Sequence, residues 1–259
     1  MGLISRNKGA DFAAVIRRLA KLGYRVGALE IDATVFLPQS RSRLFVVCLR
    51  DDLLLEGLTV PKPTGPFHSK KLMNFVASAP RDIARNWIWW QHHPVMTQPQ
   101  LLTQMIDHAP DTAWLTVRET KRLVSMMSEP SRSRIEAASQ SGQPAIGMLY
   151  KRGRPDGNGN TRQRAEVRFD GIAGCLRTPG GGSSRQTVLF IEGEKIRARL
   201  LSSREAARLM GLDDSYVMPA RYNNAYKVAG DGVVVPVVAY LDQQIFQPAL
   251  QLARLRDVA

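Results

Sequence analysis

Tyr24-Arg25-Val26-Gly27-Ala28-Leu29-Glu30-Ile31 and Leu44-Phe45-Val46-Val47-Cys48-Leu49 are the two segments on which the fold turns. The second is an unbroken apolar run of strand length, the pattern of a strand buried in a sheet, and the first reads as its companion. Ahead of them Asp11 is placed to cap a helix whose apolar face is Phe12, Val15, Ile16 and Leu19, with Gly23 as its stop. Helix, strand, loop, strand makes an α/β fragment. Cys48 falls inside the apolar run and is expected to pack as a small hydrophobe.

Between the two strands stands Pro38-Gln39-Ser40-Arg41-Ser42-Arg43. In an extended chain Arg41 and Arg43 share a side with Gln39, forming a row of donors suited to an anion or a base edge. The same row also suits a solvated strand edge whose charges discourage aggregation. From about Asp51 to Pro66 a Leu-rich and then Pro-rich stretch marks a candidate boundary. Trp87, Trp89 and Trp90 read as packing anchors, and the adjacent His92 and His93 diverge, which argues against a metal site. Short helices or turns are expected within 101–109, 117–127 and 131–138.

The whole chain has 259 residues, 44% of them hydrophobic, enough for one large domain or two modest ones. Its 36 Lys and Arg against 23 Asp and Glu leave a net charge of +13. That balance points to a polyanionic partner, since clustered cations gain affinity by displacing counterions from phosphates. No apolar run approaches the roughly 18 residues of a membrane span, and no basic amphipathic helix stands out, so nucleic acid is favoured over a membrane. Cys48 and Cys175 lie far apart, without the spacing of a zinc site or disulfide framework, and a reducing, cytoplasmic setting is expected.

The basic residues gather late in the chain. Lys151, Arg152, Arg154, Arg162, Arg164 and Arg168 are expected in Gly- and Asn-containing loops. They lead into Cys175-Leu176-Arg177-Thr178-Pro179-Gly180-Gly181-Gly182-Ser183-Ser184-Arg185-Gln186. Here glycines bare the backbone while Arg177 and Arg185 bracket it. Arginine forks bind phosphate or guanine in two-pronged fashion, and Thr178, Ser183, Ser184 and Gln186 add neutral hydrogen bonds. Arg152, Arg154, Arg177, Thr178, Gly181, Gly182, Ser183, Ser184, Arg185 and Gln186 are therefore the candidate DNA contacts. Strands are expected at 187–191 and 196–201. Ser202 and Glu205 then form a capping box, with Gly211 as the stop of a short helix. Ala229 to Val238 joins a small-residue turn to a β-branched run; propensity says strand, whereas Pro236 suits the first turn of a helix whose free amides could meet a polar ligand.

Three of these islands, in this order, resemble the C-terminal half of bacterial DNA (cytosine-5) methyltransferases. Gln39-Ser40-Arg41-Ser42-Arg43 is similar to that family's Gln-x-Arg-x-Arg motif. Arg199 through Gly211 resembles its ninth motif, and Gly230-Asp231-Gly232-Val233-Val234-Val235-Pro236-Val237 its tenth. The resemblance departs at Asp231, where Asn is common, and at Cys175-Leu176, where the family has Thr-Leu. Gly2-Leu3-Ile4-Ser5 is similar to the residues just after the family's Glu-Asn-Val acid motif. The glycine-rich cofactor loop, the Pro-Cys nucleophile and the Glu-Asn-Val acid are not among the 259 residues.

The resemblance implies a fold and a chemistry. The fold is α/β: a partial Rossmann-like methyltransferase sheet over 1–55, a mixed, loop-rich target-recognition domain over 56–225, and a return segment over 226–259. In the family a thiolate adds to carbon 6 of a flipped-out cytosine while a glutamic acid protonates the ring, and carbon 5 then takes a methyl group from S-adenosylmethionine. Arg43 is the implied contact to the base, with Arg41 and Gln39 holding the loop or a phosphate; Gly230, Asp231, Gly232 and Val233 are implied in the S-adenosylmethionine pocket. Double-stranded DNA is the implied partner, together with a separate polypeptide carrying the N-terminal motifs. The isolated chain is then expected to be inactive and nucleoid-associated. The alternatives are a non-enzymatic DNA-binding specificity subunit and a remnant fragment, which predict DNA affinity without methyl transfer or no stable fold at all.

Overall fold

The computed structural model describes residues 2–96, 100–107, 112–155, 159–178 and 185–258. The chain divides into two compact units: Met1–Asp32, Ser42–Thr97 and Pro236–Ala259 form the first, and Ala33–Arg41 with Gln98–Val235 the second.

In the first unit, β1 (Tyr24–Asp32) and β2 (Ser42–Arg50) pair antiparallel from Tyr24↔Arg50 to Asp32↔Ser42. One face of this ribbon is covered by α2 (Ala10–Lys21), which comes after the short turn α1 (Gly2–Ser5), and by α3 (Lys70–Ser78) and α4 (Arg81–Asn86). Phe12, Ile16, Val26, Ala28, Leu72, Ile83 and Trp87 form the core between them. Gly23, at φ +80°, ends α2 as expected. The cap differs: Gly9 holds that position, while Asp11 lies in the first turn and accepts from Asn7 Nδ2 at 2.8 Å. Val15, expected on the apolar face, is exposed. Cys48 packs at the core margin, where burial pushes its thiol pKa up.

The stretch expected as a linker contributes to this unit. β3 (Thr59–Val60) pairs with β4 (Trp89–Trp90), Leu58 is buried, and the boundary expected after residue 55 falls inside the unit. A Cβ at Gly27 would stand 2.5 Å from the Ile88 carbonyl and 2.6 Å from Trp90 Nε1, so this close approach requires glycine. Trp90 Nε1 donates to the Val47 carbonyl at 3.3 Å. His92 Nε2 lies 3.0 Å from the Thr64 carbonyl. His68, 3% exposed, accepts from the Thr64 amide through Nδ1, and burial, then the neighbouring His92, lowers its pKa to about 4. The C-terminal helices α10 (Val235–Leu241) and α11 (Gln247–Val258), joined by a π-helical turn, are anchored at His93: Tyr240 Oη donates to its carbonyl at 2.5 Å, and Gln244 Oε1 accepts from its amide at 3.1 Å.

The second unit is built on a four-stranded antiparallel sheet in the order β6-β5-β7-β8: β5 (Ala145–Pro155), β6 (Thr161–Arg168), β7 (Thr187–Glu192) and β8 (Lys195–Leu200). Helices α6 (Val117–Ser125) and α7 (Glu129–Gln140) bury Leu123 and Ile135 against Leu149, Ala165, Val167, Leu189 and Ala198. The expected helix within 101–109 is the single turn α5 (Leu102–Met105). The basic stretch expected as loops is strand: of β5 only Ala145–Leu149 pairs with β7, so Tyr150–Pro155 and Thr161–Glu166 continue beyond the sheet as a two-stranded ribbon. Gly153, expected in a loop, is held within the ribbon opposite Gln163.

Helix α8 (Ser203–Leu209) starts at the expected capping box: Ser202 Oγ accepts from the Glu205 amide at 3.1 Å, and Glu205 Oε2 from the Ser202 amide at 2.7 Å. The small residues expected as a turn, Ala229 to Asp231, close helix α9 (Tyr222–Asp231); of the β-branched run after them, Val233 and Val234 are irregular and the part from Val235 is helical, with Pro236 in its first turn. Position overrides propensity there, because proline cannot join a central strand ladder.

Candidate functional site

The segment Pro38–Arg41 is locked into the second unit by main-chain bonds: Ser40 N donates to Ala173 O at 2.9 Å, and Ala173 N to Pro38 O at 2.7 Å. Gln39 is fully buried. Its Nε2 donates to the Leu209 carbonyl at 2.5 Å and its Oε1 accepts from the Leu176 amide at 3.3 Å. Arg41 is 5% exposed. Its Nη1 donates to Leu176 O at 2.7 Å, and its Nη2 to Gly230 O at 3.0 Å and Gly232 O at 2.6 Å. One guanidinium thus gathers three sequence-distant segments: the 33–41 loop, the start of the glycine-rich stretch, and the end of α9. Arg43 differs: it is exposed at the start of β2, and its Nη1 donates to the Ser42 carbonyl at 2.9 Å.

Two further contacts tighten the same junction. A Cβ at Gly230 would stand 2.6 Å from Thr178 N and 2.8 Å from Arg177 C, so only glycine lets the two backbones meet. The Thr178 hydroxyl donates to the exposed Asp231 carboxylate. Val233 is 52% exposed, whereas Val234 is buried.

The candidate DNA contacts separate into three groups. Arg152 and Arg154 lie on the protruding ribbon, where the register sets Arg152 opposite Arg164 and Arg154 opposite Arg162. All four therefore share one face. Arg152 stacks 4.6 Å from the Tyr150 ring centroid, and Arg154 pairs with Glu166. Arg177 is exposed and Thr178 half-buried beside Asp231. Gly181, Gly182, Ser183 and Ser184 lie outside the described residues. Beyond them Arg185 stacks 5.4 Å from the Tyr222 ring centroid and bonds Asn223, while Gln186 is 4% exposed, with its amide donating to Tyr226 Oη at 2.9 Å. Gln186 is thus a buried strut beside Tyr226.

Arg199 is a neighbour of the site to which the sequence pattern alone assigns no role. It is fully buried, reaches Glu205 at 2.6 and 2.8 Å, and donates to Asp107 O at 2.7 Å.

A sequence profile of the C-5 cytosine-specific DNA methylases matches residues 1–247. This chain belongs to that family. It is 26% identical over 242 residues to the type II methyltransferase M.HhaI of Haemophilus parahaemolyticus, covering 93% of this chain and 59% of the relative. To M.HpaII of Haemophilus parainfluenzae it is 26% identical over 262 residues, covering 95% of this chain and 58% of that protein. The methylase chain therefore spans a little over half the length of these relatives. In fold it is similar to the Dnmt2 methyltransferase of S. pombe, at a TM-score of 0.51 and 14% identity over 96% of this chain and 65% of that one, which is consistent with an α/β methyltransferase fold. C-5 cytosine methylases take their methyl group from S-adenosylmethionine. No helix among the described residues is long and apolar enough to cross a membrane.

The residues implied for that donor fit it in part. Gly230 is filled from its own chain by the Arg177–Thr178 backbone and spends its carbonyl on Arg41. Asp231 and Val233 are exposed, so the carboxylate and the 231–233 backbone are the parts able to meet a ligand.

Proposed function

We propose that this chain forms the base-clamp, DNA-reading and part of the donor-binding machinery of a DNA (cytosine-5) methyltransferase. The observation that carries the reading is the Arg41 staple. In a chain matched to the family over residues 1–247, one buried guanidinium joins the Gln-x-Arg-x-Arg loop to the 176–178 and 230–232 segments. Gln39 and Arg41 then act as positioning residues, and Arg43, exposed at the start of β2, steadies the carbonyl oxygen and developing charge of an extruded cytosine. The ribbon arginines bear on the phosphates of the duplex, and Asp231 with Gly232 and Val233 on the donor.

S-adenosylmethionine supplies the electrophilic methyl group. Carbon 5 of cytosine is too weak a nucleophile to take it unaided, so a thiolate and an acid are needed. Cys48 packs at a core margin with its thiol pKa raised, and Cys175 lies 3.7 Å from the Arg41 guanidinium among the positioning contacts. In this reading neither is the attacking sulfur. It comes from a Pro-Cys segment, with a Glu-Asn-Val acid, in the same polypeptide or a separate one.

The test is transfer of labelled methyl from S-adenosylmethionine to duplex DNA, with this chain alone and with a polypeptide carrying those two motifs. The expected result is 5-methylcytosine only in the mixture, abolished by Arg43→Ala. Salt-sensitive duplex binding with no methylation under any pairing would favour a non-enzymatic specificity subunit.

A further inference from the structure

Beside the base of the β5–β6 ribbon lies a cleft of about 660 Å³. The start of α7 forms one wall; Tyr150, Glu166 and Phe169 form the other. Ser128, Ser131 and Arg134 succeed one another at three-residue intervals, so a single helix face turns toward the cleft. Ser128 makes no capping bond with its side chain. Ser131 is only 2% exposed, and its hydroxyl has no hydrogen-bond partner among the described residues. Arg134 commits Nη1 to the Val167 carbonyl at 3.3 Å, leaving most of its five-donor fork. The other side of the same helix is paired: Arg132 meets Glu129 at 2.8 Å, and Ser133 Oγ donates to Glu129 O at 3.1 Å. Three side chains with donor capacity left, converging on one cleft, suit a ligand rich in acceptors.

The remaining lining selects the ligand. Glu166 is engaged by Arg154 and the Tyr150 hydroxyl, and Asp170 by Arg168, so both acidic groups are already met by cations and Arg134 leaves the cleft positive. Phe169 supplies a ring whose place depends on Gly147, where a Cβ would stand 2.6 Å from its Cε1. Tyr150 supplies a second ring, one face of which carries the Arg152 guanidinium at 4.6 Å from its centroid. A volume of this size falls in the range of small-molecule sites.

We infer that this cleft binds a nucleotide, its phosphate on Ser128, Ser131 and Arg134 and its base against Phe169 and Tyr150. The phosphate ester comes either from a free mononucleotide or from a strand of DNA led down the arginine face. Neither source depends on methyl transfer, so the site stands or falls apart from the proposed activity.

Calorimetric titration of the full chain with 5′-deoxyadenosine monophosphate, deoxyadenosine and inorganic phosphate tests it. The nucleotide is expected to bind about tenfold more tightly than either part, and Ser131→Ala and Arg134→Gln are each expected to weaken it about three- to tenfold, with melting midpoints unchanged within a few degrees. Competition by duplex DNA would assign the cleft to a DNA strand; nucleotide binding undisturbed by duplex would assign it to a free nucleotide, and both support the site. Nucleotide affinity no better than that of phosphate, absent at millimolar concentration, or unchanged in both variants overturns it.

Discussion

Arg41 and Arg199 are buried in the same unit, at 5% and 0% exposure, and their charges are met in different ways. Arg199 faces a carboxylate: Glu205 takes two of its nitrogens, the Asp107 carbonyl a third contact, and the rings of Trp114 and Phe190 lie 5.6 and 5.2 Å from its guanidinium carbon. Arg41 lays its fork on the carbonyl dipoles of Leu176, Gly230 and Gly232. A carboxylate partner makes a locally neutral brace for β8 and α8. Carbonyl partners make a hub, because one side chain draws the 176 and 230–232 segments onto the 33–41 loop. One arginine holds scaffold and the other sets the geometry of the candidate site.

Cutting the brace is expected to have the largest effect. Glu205→Ala leaves the Arg199 charge buried without its carboxylate, a loss of about 3–5 kcal/mol by urea unfolding, whereas an apolar replacement of both partners recovers most of it. Arg41→Ala is expected to cost less, about 2–3 kcal/mol, and to show in a different place. Amide exchange should rise at 173–178 and 228–233 while the 199–205 region stays protected. Arg41→Lys should not restore it, since a single ammonium cannot reproduce the planar fork. Equal exchange changes in both regions would erase the distinction between brace and hub.

His68, in the first unit, extends the comparison to a buried base kept neutral. Its pKa is lowered to about 4, so the folded form resists a proton that the unfolded chain accepts near pH 6.5. Stability is therefore full above that pH and falls as pH drops toward 4, by on the order of 1–2 kcal/mol at pH 5. His68→Gln should flatten that part of the pH–stability curve. The smallest effect belongs to the exposed ribbon, where like charges stand opposite one another. Replacing Arg162 and Arg164 by Ser is expected to raise stability by a few tenths of a kcal/mol while lowering the salt slope of duplex binding by about one per arginine. A gain in stability without loss of DNA affinity would place the ribbon outside the interface.

Where sequence pattern and structure part, the reason is local in each case. Ser202 with Glu205 announced α8 because a capping box is complete within four residues. The ribbon of 150–166 was concealed because its alternation is written in arginines, which read as solvated loop until a partner strand supplies the register. Gln39 and Arg43 stand four apart in one motif, yet one is buried and the other exposed, since the bridge to Ala173 captures the chain before β2 begins.

By itself the sequence determined the α/β character, the polyanion-seeking charge, the capped helix at 203–209 and the family to which the three ordered motifs belong, because each of these is carried by neighbours along the chain. Only the tertiary structure decided that Arg41 turns inward to carbonyls 135 to 191 residues away, that Gly230 is glycine for the sake of Thr178, and that Ser131 faces a cleft with its hydroxyl unspent. Those facts depend on which distant backbones approach within a few ångströms, and chain spacing holds no record of that.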